Sequence, residues 1–172
     1  MSFHGGLLGV VLAIVVFARV KKLDIVALGD LVAAATPIGL FFGRLANFIN
    51  GELWGKPTGV PWAMVFPHAD AQPRHPSQLY EALLEGLVLF VILYVLIHFW
   101  KALNRPGLII ATFFAGYAVF RIVVEVFFRD SDQLVFGGTV TMGSLLSVFM
   151  FAVAGFFYWY ALYRKGPALQ PQ

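Results

Sequence analysis

Arg44, Asn47, Asn50 and Glu52 fall in one nine-residue stretch where an apolar run is ending, and Arg121 and Glu125 stand four apart toward the end of another. A guanidinium within reach of hydrocarbon costs about 2.5–3.5 kcal/mol on insertion scales, so it is expected to face a polar cavity or a partner. Snorkelling to the headgroups would account for a lone arginine, but it needs neither Asn47 one turn later nor Glu52 just beyond. Two guanidinium forks near a membrane interface suit a lipid phosphate, because their planar donors match its oxygens two at a time and stay charged. Arg121 and Glu125 can also neutralise each other on one helix face, with Glu125 orienting the arginine. His4 is a candidate general base, with an ordinary pKa of about 6.5, or simply a helix cap or surface residue. Tyr117, one turn before Arg121, can hydrogen-bond a headgroup or pack among the helices.

These residues need a membrane to make sense. The chain has 172 residues, 60% hydrophobic, 16% aromatic and 12% charged, with a formal charge of +3. That is well beyond the soluble average of roughly half apolar and a quarter charged. The expected fold is a single all-α polytopic membrane domain over residues 1–172, with about five transmembrane helices and a polar cavity toward the periplasmic side. Cysteine is absent, which removes disulfides, thiolate metal ligands and any cysteine nucleophile on the protein itself. His68 and His75 lack the His-Glu-x-x-His spacing of a zinc site, and there is no glycine-rich phosphate loop, so no metal and no cofactor are expected. The cations lie at helix ends rather than along one stripe, which argues against nucleic acid as a partner.

Five apolar runs can be followed in order. The first covers residues 5 to 20. After Arg19, Lys21 and Lys22, Asp24 is placed to cap a second over 25 to 49, in which Gly39 and Gly43 have the spacing of a close helix-packing face. Residues 50 to 76 carry five prolines and two tryptophans and read as an interfacial loop, a lid or a binding element. Pro76 opens a third helix that runs to Trp100, with Glu81 and Glu85 read as complements to its positive end. A fourth spans about Leu108 to Phe128 and a fifth about Val140 to Tyr163. Arg19, Lys21, Lys22, Lys101, Arg105, Arg164 and Lys165 then share one side, which the positive-inside rule makes cytoplasmic. Alternation carries His4, the stretch Arg44 to Glu52, Arg74 to Glu81, and Arg121, Glu125 and Arg129 to the opposite half.

Four motifs make the chain resemble the bacterial prolipoprotein diacylglyceryl transferases along nearly its whole length. They are His4-Gly5-Gly6-Leu7-Leu8-Gly9, the run Gly43 to Gly55 with its Gly-Arg-x-x-Asn-Phe-Ile-Asn-x-Glu-x-x-Gly pattern, Arg74 to Glu81, and Gly116 to Glu125. The resemblance implies a multi-pass enzyme of the bacterial inner membrane, its active face toward the periplasm. It would transfer the diacylglyceryl group of phosphatidylglycerol to the lipobox cysteine thiol of a prolipoprotein, forming a thioether and releasing glycerol phosphate. Its partners are then phosphatidylglycerol, the prolipoprotein signal peptide and membrane lipids. Family roles carry over onto His4, Arg44, Asn47, Glu52, Gly55, Arg121 and Glu125. Family members extend further at the amino terminus, where Met1 matches an internal methionine, so the chain is expected to be a truncated form with little activity alone. Two rivals remain. A transporter should show polar residues down both halves of several helices, whereas here only Asp30 departs from the outward set; a non-catalytic lipid-binding subunit would bind lipid without turning it over.

Overall fold

The computed structural model describes residues 3–129, 134–135 and 140–164. Helix α1 (Phe3–Lys21) and α2 (Ile25–Ile49) are joined by a tight turn in which Lys22 takes a left-handed conformation at φ 55. Asp24 caps α2 as expected, its Oδ1 accepting from the Val26 and Ala27 amides at 2.8 and 3.1 Å and satisfying two of the donors a helix start leaves open. A long segment leads to α3 (Ser77–Phe99), then α4 (Leu108–Phe127), a hairpin of two two-residue strands, β1 (Leu134–Val135) and β2 (Val140–Thr141), and α5 (Met142–Tyr163). Among the described residues, four helices are long and apolar enough to cross a membrane: α2, α3, α4 and α5 from Leu145 onward. The apolar α1 stands beside them with 19 residues, about 28 Å at 1.5 Å per residue. The chain is thus a helical, multi-pass membrane protein.

Ala33, Leu89, Leu93, Ala102, Ile109, Ile110 and Phe113 make the shared core of α2, α3 and α4. The close approach between α2 and α3 lies elsewhere than at Gly39 and Gly43. No other helix among the described residues comes within 4 Å of a Cβ placed on Gly39 or Gly43, and Gly39 lines a shallow groove with Leu31, Ala35 and Leu40. The contact comes from Gly86 instead, where a Cβ would sit 2.7 Å from Phe41 Cβ and 2.9 Å from its Cα. The spacing of Gly39 and Gly43 marks a smooth face of α2, and a small-residue stripe permits close packing without requiring it.

Around Gly86 the backbone of α3 widens to i→i+5 hydrogen bonding over Ala82–Val88. Such π segments tend to mark functional positions, because the extra residue per turn rotates the side chains that follow. Here it begins immediately after Glu81 and contains Glu85.

Residues 50–76 form a braced strap rather than a loose connector. Met64 and Arg74 exchange both backbone hydrogen bonds at 2.9 and 2.8 Å, Gly55 N donates to His75 O at 2.9 Å, and Lys56 N donates to Phe128 O at 2.8 Å. Arg74 locks the strap by donating to both Asp70 oxygens at 3.0 and 2.9 Å and to the Gly55 carbonyl at 3.0 Å. This guanidinium holds the Asp70 carboxyl below the ordinary aspartate range. Gly55 is required by crowding, since a Cβ there would fall 2.7 Å from the His75 carbonyl oxygen and 2.8 Å from His75 Cβ.

Candidate active site

Three helices meet at the end of the bundle where α2 stops and α3 starts. Arg44 reaches from α2 to α3, with Nη1 3.1 Å from Glu81 Oε2 and Nη2 3.0 Å from Glu85 Oε2. From α4, Arg121 Nη1 donates to Glu81 Oε1 at 2.8 Å, and its Nε lies 3.1 Å from Glu125 Oε2, one turn on. Arg129, just past the end of α4, donates to the same Glu81 Oε1 at 2.9 Å. Glu81 therefore touches three guanidinium groups. The helix starting with α5 crowds in as well, because a Cβ on Gly143 would run into the Glu125 carboxylate.

Three guanidiniums and three carboxylates balance formally, which is how such groups can be buried at all: an isolated buried ion carries a penalty of several kcal/mol that only close, well-oriented partners offset. The two kinds of group are not buried alike. The Glu81, Glu85 and Glu125 side chains are 1%, 0% and 5% exposed, whereas Arg44, Arg121 and Arg129 keep 14%, 16% and 15%. The carboxylates form the floor and the guanidiniums the accessible rim. A guanidinium has five N–H donors, and these contacts engage two nitrogens of Arg44, two of Arg121 and one of Arg129 among the described residues. The rim thus presents fixed, charged donors to a ligand, the arrangement that recognises a phosphate.

The site residues expected from sequence divide into four groups. Arg44, Arg121 and Glu125 come together as expected. Tyr117 packs its ring on Phe113 with centroids 6.1 Å apart, the packing role of the two expected for it. Asn47, Asn50, Glu52 and Gly55 form the turn above the cluster: Asn50 caps α2, and Glu52 N donates to Asn47 O at 2.9 Å. The Glu52 side chain is exposed and pairs with no arginine among the described residues; the carboxylates that orient Arg44 and Arg121 are Glu81, Glu85 and Glu125. His4 stands in the first turn of α1, and its side chain lies outside the described residues.

Glu81, Glu85 and Arg129 are members to which sequence reasoning assigned no site role, although helix alternation already carried Glu81 and Arg129 to the same half as Arg44 and Arg121. Favourable charge at a helix start accounted for both glutamates without a partner, and this concealed the stronger signal. Two carboxylates four residues apart on a spanning helix need cations on neighbouring helices, and Arg44 and Arg121 were already expected at that level.

At the opposite end of the bundle Asp30 is fully buried and accounted for. Its Oδ2 accepts from Gly107 N at 2.7 Å and its Oδ1 from Ile110 N at 2.9 Å, so a side chain inside α2 caps the start of α4. The one inward departure from the outward set of charges is therefore a helix cap, which weakens the transporter reading.

A family model described as "Prolipoprotein diacylglyceryl transferase" matches residues 1–160. Three curated proteins named "Phosphatidylglycerol--prolipoprotein diacylglyceryl transferase" are similar to the chain. The one from Allorhizobium ampelinum is 55% identical over 174 aligned positions, covering 99% of this chain and 60% of the relative. The Nitrobacter winogradskyi protein is 55% identical over 170, covering 96% and 57%, and that of Rhodospirillum rubrum 53% over 176, covering 99% and 63%. The chain spans about 60% of the length of these relatives.

Proposed function

Since the chain belongs to the prolipoprotein diacylglyceryl transferase family, we propose that its arginine rim binds the phosphate of phosphatidylglycerol and supports transfer of the diacylglyceryl group to a prolipoprotein cysteine. The observation that carries this reading is the rim itself: Arg44, Arg121 and Arg129, fixed from below by Glu81, Glu85 and Glu125, with their outer edges accessible.

In the reaction the cysteine sulfur attacks the glycerol carbon that bears the phosphate ester. A carbon–sulfur bond forms, the carbon–oxygen bond breaks, and its electron pair leaves on the phosphate oxygen of glycerol phosphate. The leaving phosphate gains one negative charge, and guanidinium donors already held in place stabilise that charge without reorganising. A free thiol with a pKa of about 8.5 is only a few per cent thiolate at neutral pH, so a base that takes its proton assists. His4 fills that role in this reading, since α1 starts at the end of the bundle where α2 stops. Asn47, Asn50 and Glu52 line the headgroup side, and Tyr117 supports the phosphate from below.

The same reading places the cluster on the periplasmic face of the bacterial inner membrane, with Arg19, Lys21, Lys22, Lys101 and Arg105 in the cytoplasm. In spheroplasts, an impermeant thiol reagent should label Thr58→Cys and spare Asn104→Cys; the reverse pattern would refute this orientation. For the activity, the chain extended upstream of Met1 to the length of its relatives is purified and incubated with phosphatidylglycerol vesicles and a lipobox peptide. The expected result is release of glycerol phosphate matched by a diacylglyceryl mass on the peptide, lost when the peptide cysteine is serine. Lipid binding with an unmodified peptide would reject the transferase reading and leave a lipid-binding subunit.

A further inference from the structure

One buried polar group beside the cluster has an unused capacity. Gln78 is fully buried in the first turn of α3. Its Nε2 donates to the Glu52 carbonyl at 2.5 Å, while neighbouring Ser77 Oγ donates to the Leu53 carbonyl at 3.0 Å. Both clamps act on a turn that needs holding, since Gly51 and the β-carbon-bearing Leu53 have φ of 66 and 58. The clamp settles which way round the carboxamide sits: exchanging its ends would press two carbonyl oxygens together. Oε1 is then left buried, with no hydrogen-bond donor among the described residues. A buried acceptor without a partner costs about 1–3 kcal/mol, so a group in this condition inside a packed helix start calls for a ligand.

The register of α3 identifies that ligand's chemistry. Gln78 precedes Glu81 by three residues, so it lies on the same helix face and about 4.5 Å nearer the α3 start. A diacyl phospholipid with its phosphate on the arginine rim directs its acyl chains toward the bilayer middle and its headgroup the other way, toward the level of Gln78. We propose that Gln78 Oε1 accepts a hydrogen bond from a hydroxyl of the lipid's head glycerol, making Gln78 a residue that selects hydroxylated headgroups. The inference rests on the phosphate reading of the rim and adds the part of the lipid beyond the phosphate.

The test uses the purified protein in mixed micelles and measures displacement of a fluorescent phosphatidylglycerol by three competitors. These are phosphatidylglycerol, phosphatidylmethanol, which has the same charge and phosphodiester but no hydroxyl, and zwitterionic phosphatidylcholine. Wild type should bind phosphatidylglycerol about tenfold more tightly than phosphatidylmethanol, the effect of leaving one buried acceptor unpaired. Gln78→Met, close in volume, should bring the two affinities within about twofold. Ser77→Ala, which removes only the clamp on Leu53, should shift both affinities together and keep their ratio. If Gln78→Met does not fold, Gln78→Asn withdraws the oxygen by one methylene and should lower the ratio in the same direction. Equal affinities in wild type, or an unchanged ratio in the Gln78 variant, would overturn the role of Gln78 while leaving the phosphate site standing. If neither anionic lipid competed better than phosphatidylcholine, the phosphate reading itself would fall, and Gln78's role with it.

Discussion

The two ends of the helix bundle bury charge in different ways. At one end, Asp30 spends both carboxylate oxygens on the amides of Gly107 and Ile110 and is sealed completely. Beside it Asp24 caps α2 and pairs with Arg164, tying the end of α5 to the α1–α2 turn. Burial works to raise the Asp24 pKa, but Arg164 and the two backbone amides outweigh it and leave the carboxyl below its ordinary range. At the other end, three buried carboxylates hold three guanidiniums whose outer edges stay accessible. The first arrangement is closed, with acceptors matched to backbone donors. The second leaves cationic donors facing outward, and that surplus separates a site from a brace.

Variants can break this contrast, and the largest effect is expected at its centre. Glu81→Gln keeps the shape but removes the charge shared by three arginines, and breaking a buried pair of this kind typically destabilises by about 3–5 kcal/mol. Unfolding in a denaturing detergent should show that loss together with weakened phosphatidylglycerol binding. A variant as stable as wild type would mean that Glu81 is not the hub its contacts describe. Next come Arg44→Lys and Arg121→Lys. A point charge cannot reproduce a planar fork, and misplacement of a reacting group by ~1 Å already costs about a hundredfold, so each should lose about that factor in glycerol phosphate release by the upstream-extended protein. Near-normal release in both variants would reduce these arginines to structural counter-ions.

The smallest effect is expected at the opposite end. Asp30→Asn offers one acceptor where two are used, and should destabilise by about 1–2 kcal/mol without changing lipid affinity. A change in affinity as large as that of an arginine variant would mean that the two ends are coupled and the contrast is false.

Much of this arrangement was legible in the sequence, for reasons that also explain what was not. The Asp24 cap, the Pro76 start of α3 and the level at which Arg44 and Arg121 meet follow from local chemistry and from helix alternation, both of which act along the chain. Pairing across helices depends on rotation about each helix axis, which alternation does not determine. Glu81 and Glu85 were therefore placed at the right depth without their partners, and the spacing of Gly39 and Gly43 marked a packing face of α2 without showing that α3 approaches at Gly86. The π segment over Ala82–Val88 had no local signature, because no proline or insertion marks it, and it sets the rotation of α3. Asp30 looked like an isolated inward charge because the amides it caps lie 77 and 80 residues away. The Gln78 oxygen could not be found from sequence at all, since its lack of a partner is a property of packing.

The central claim is that lipid phosphate sits on the Arg44 and Arg121 forks, and a dipolar-recoupling measurement between lipid ³¹P and ¹⁵N-labelled guanidinium groups tests it most directly. In phosphatidylglycerol bilayers the account predicts strong dephasing from arginine nitrogens, falling by more than half when Arg44 and Arg121 are both replaced by lysine while Arg129 of the rim and Arg19, Arg74, Arg105 and Arg164 outside it remain. Dephasing that survives the double replacement at full strength would place the phosphate elsewhere and contradict the account.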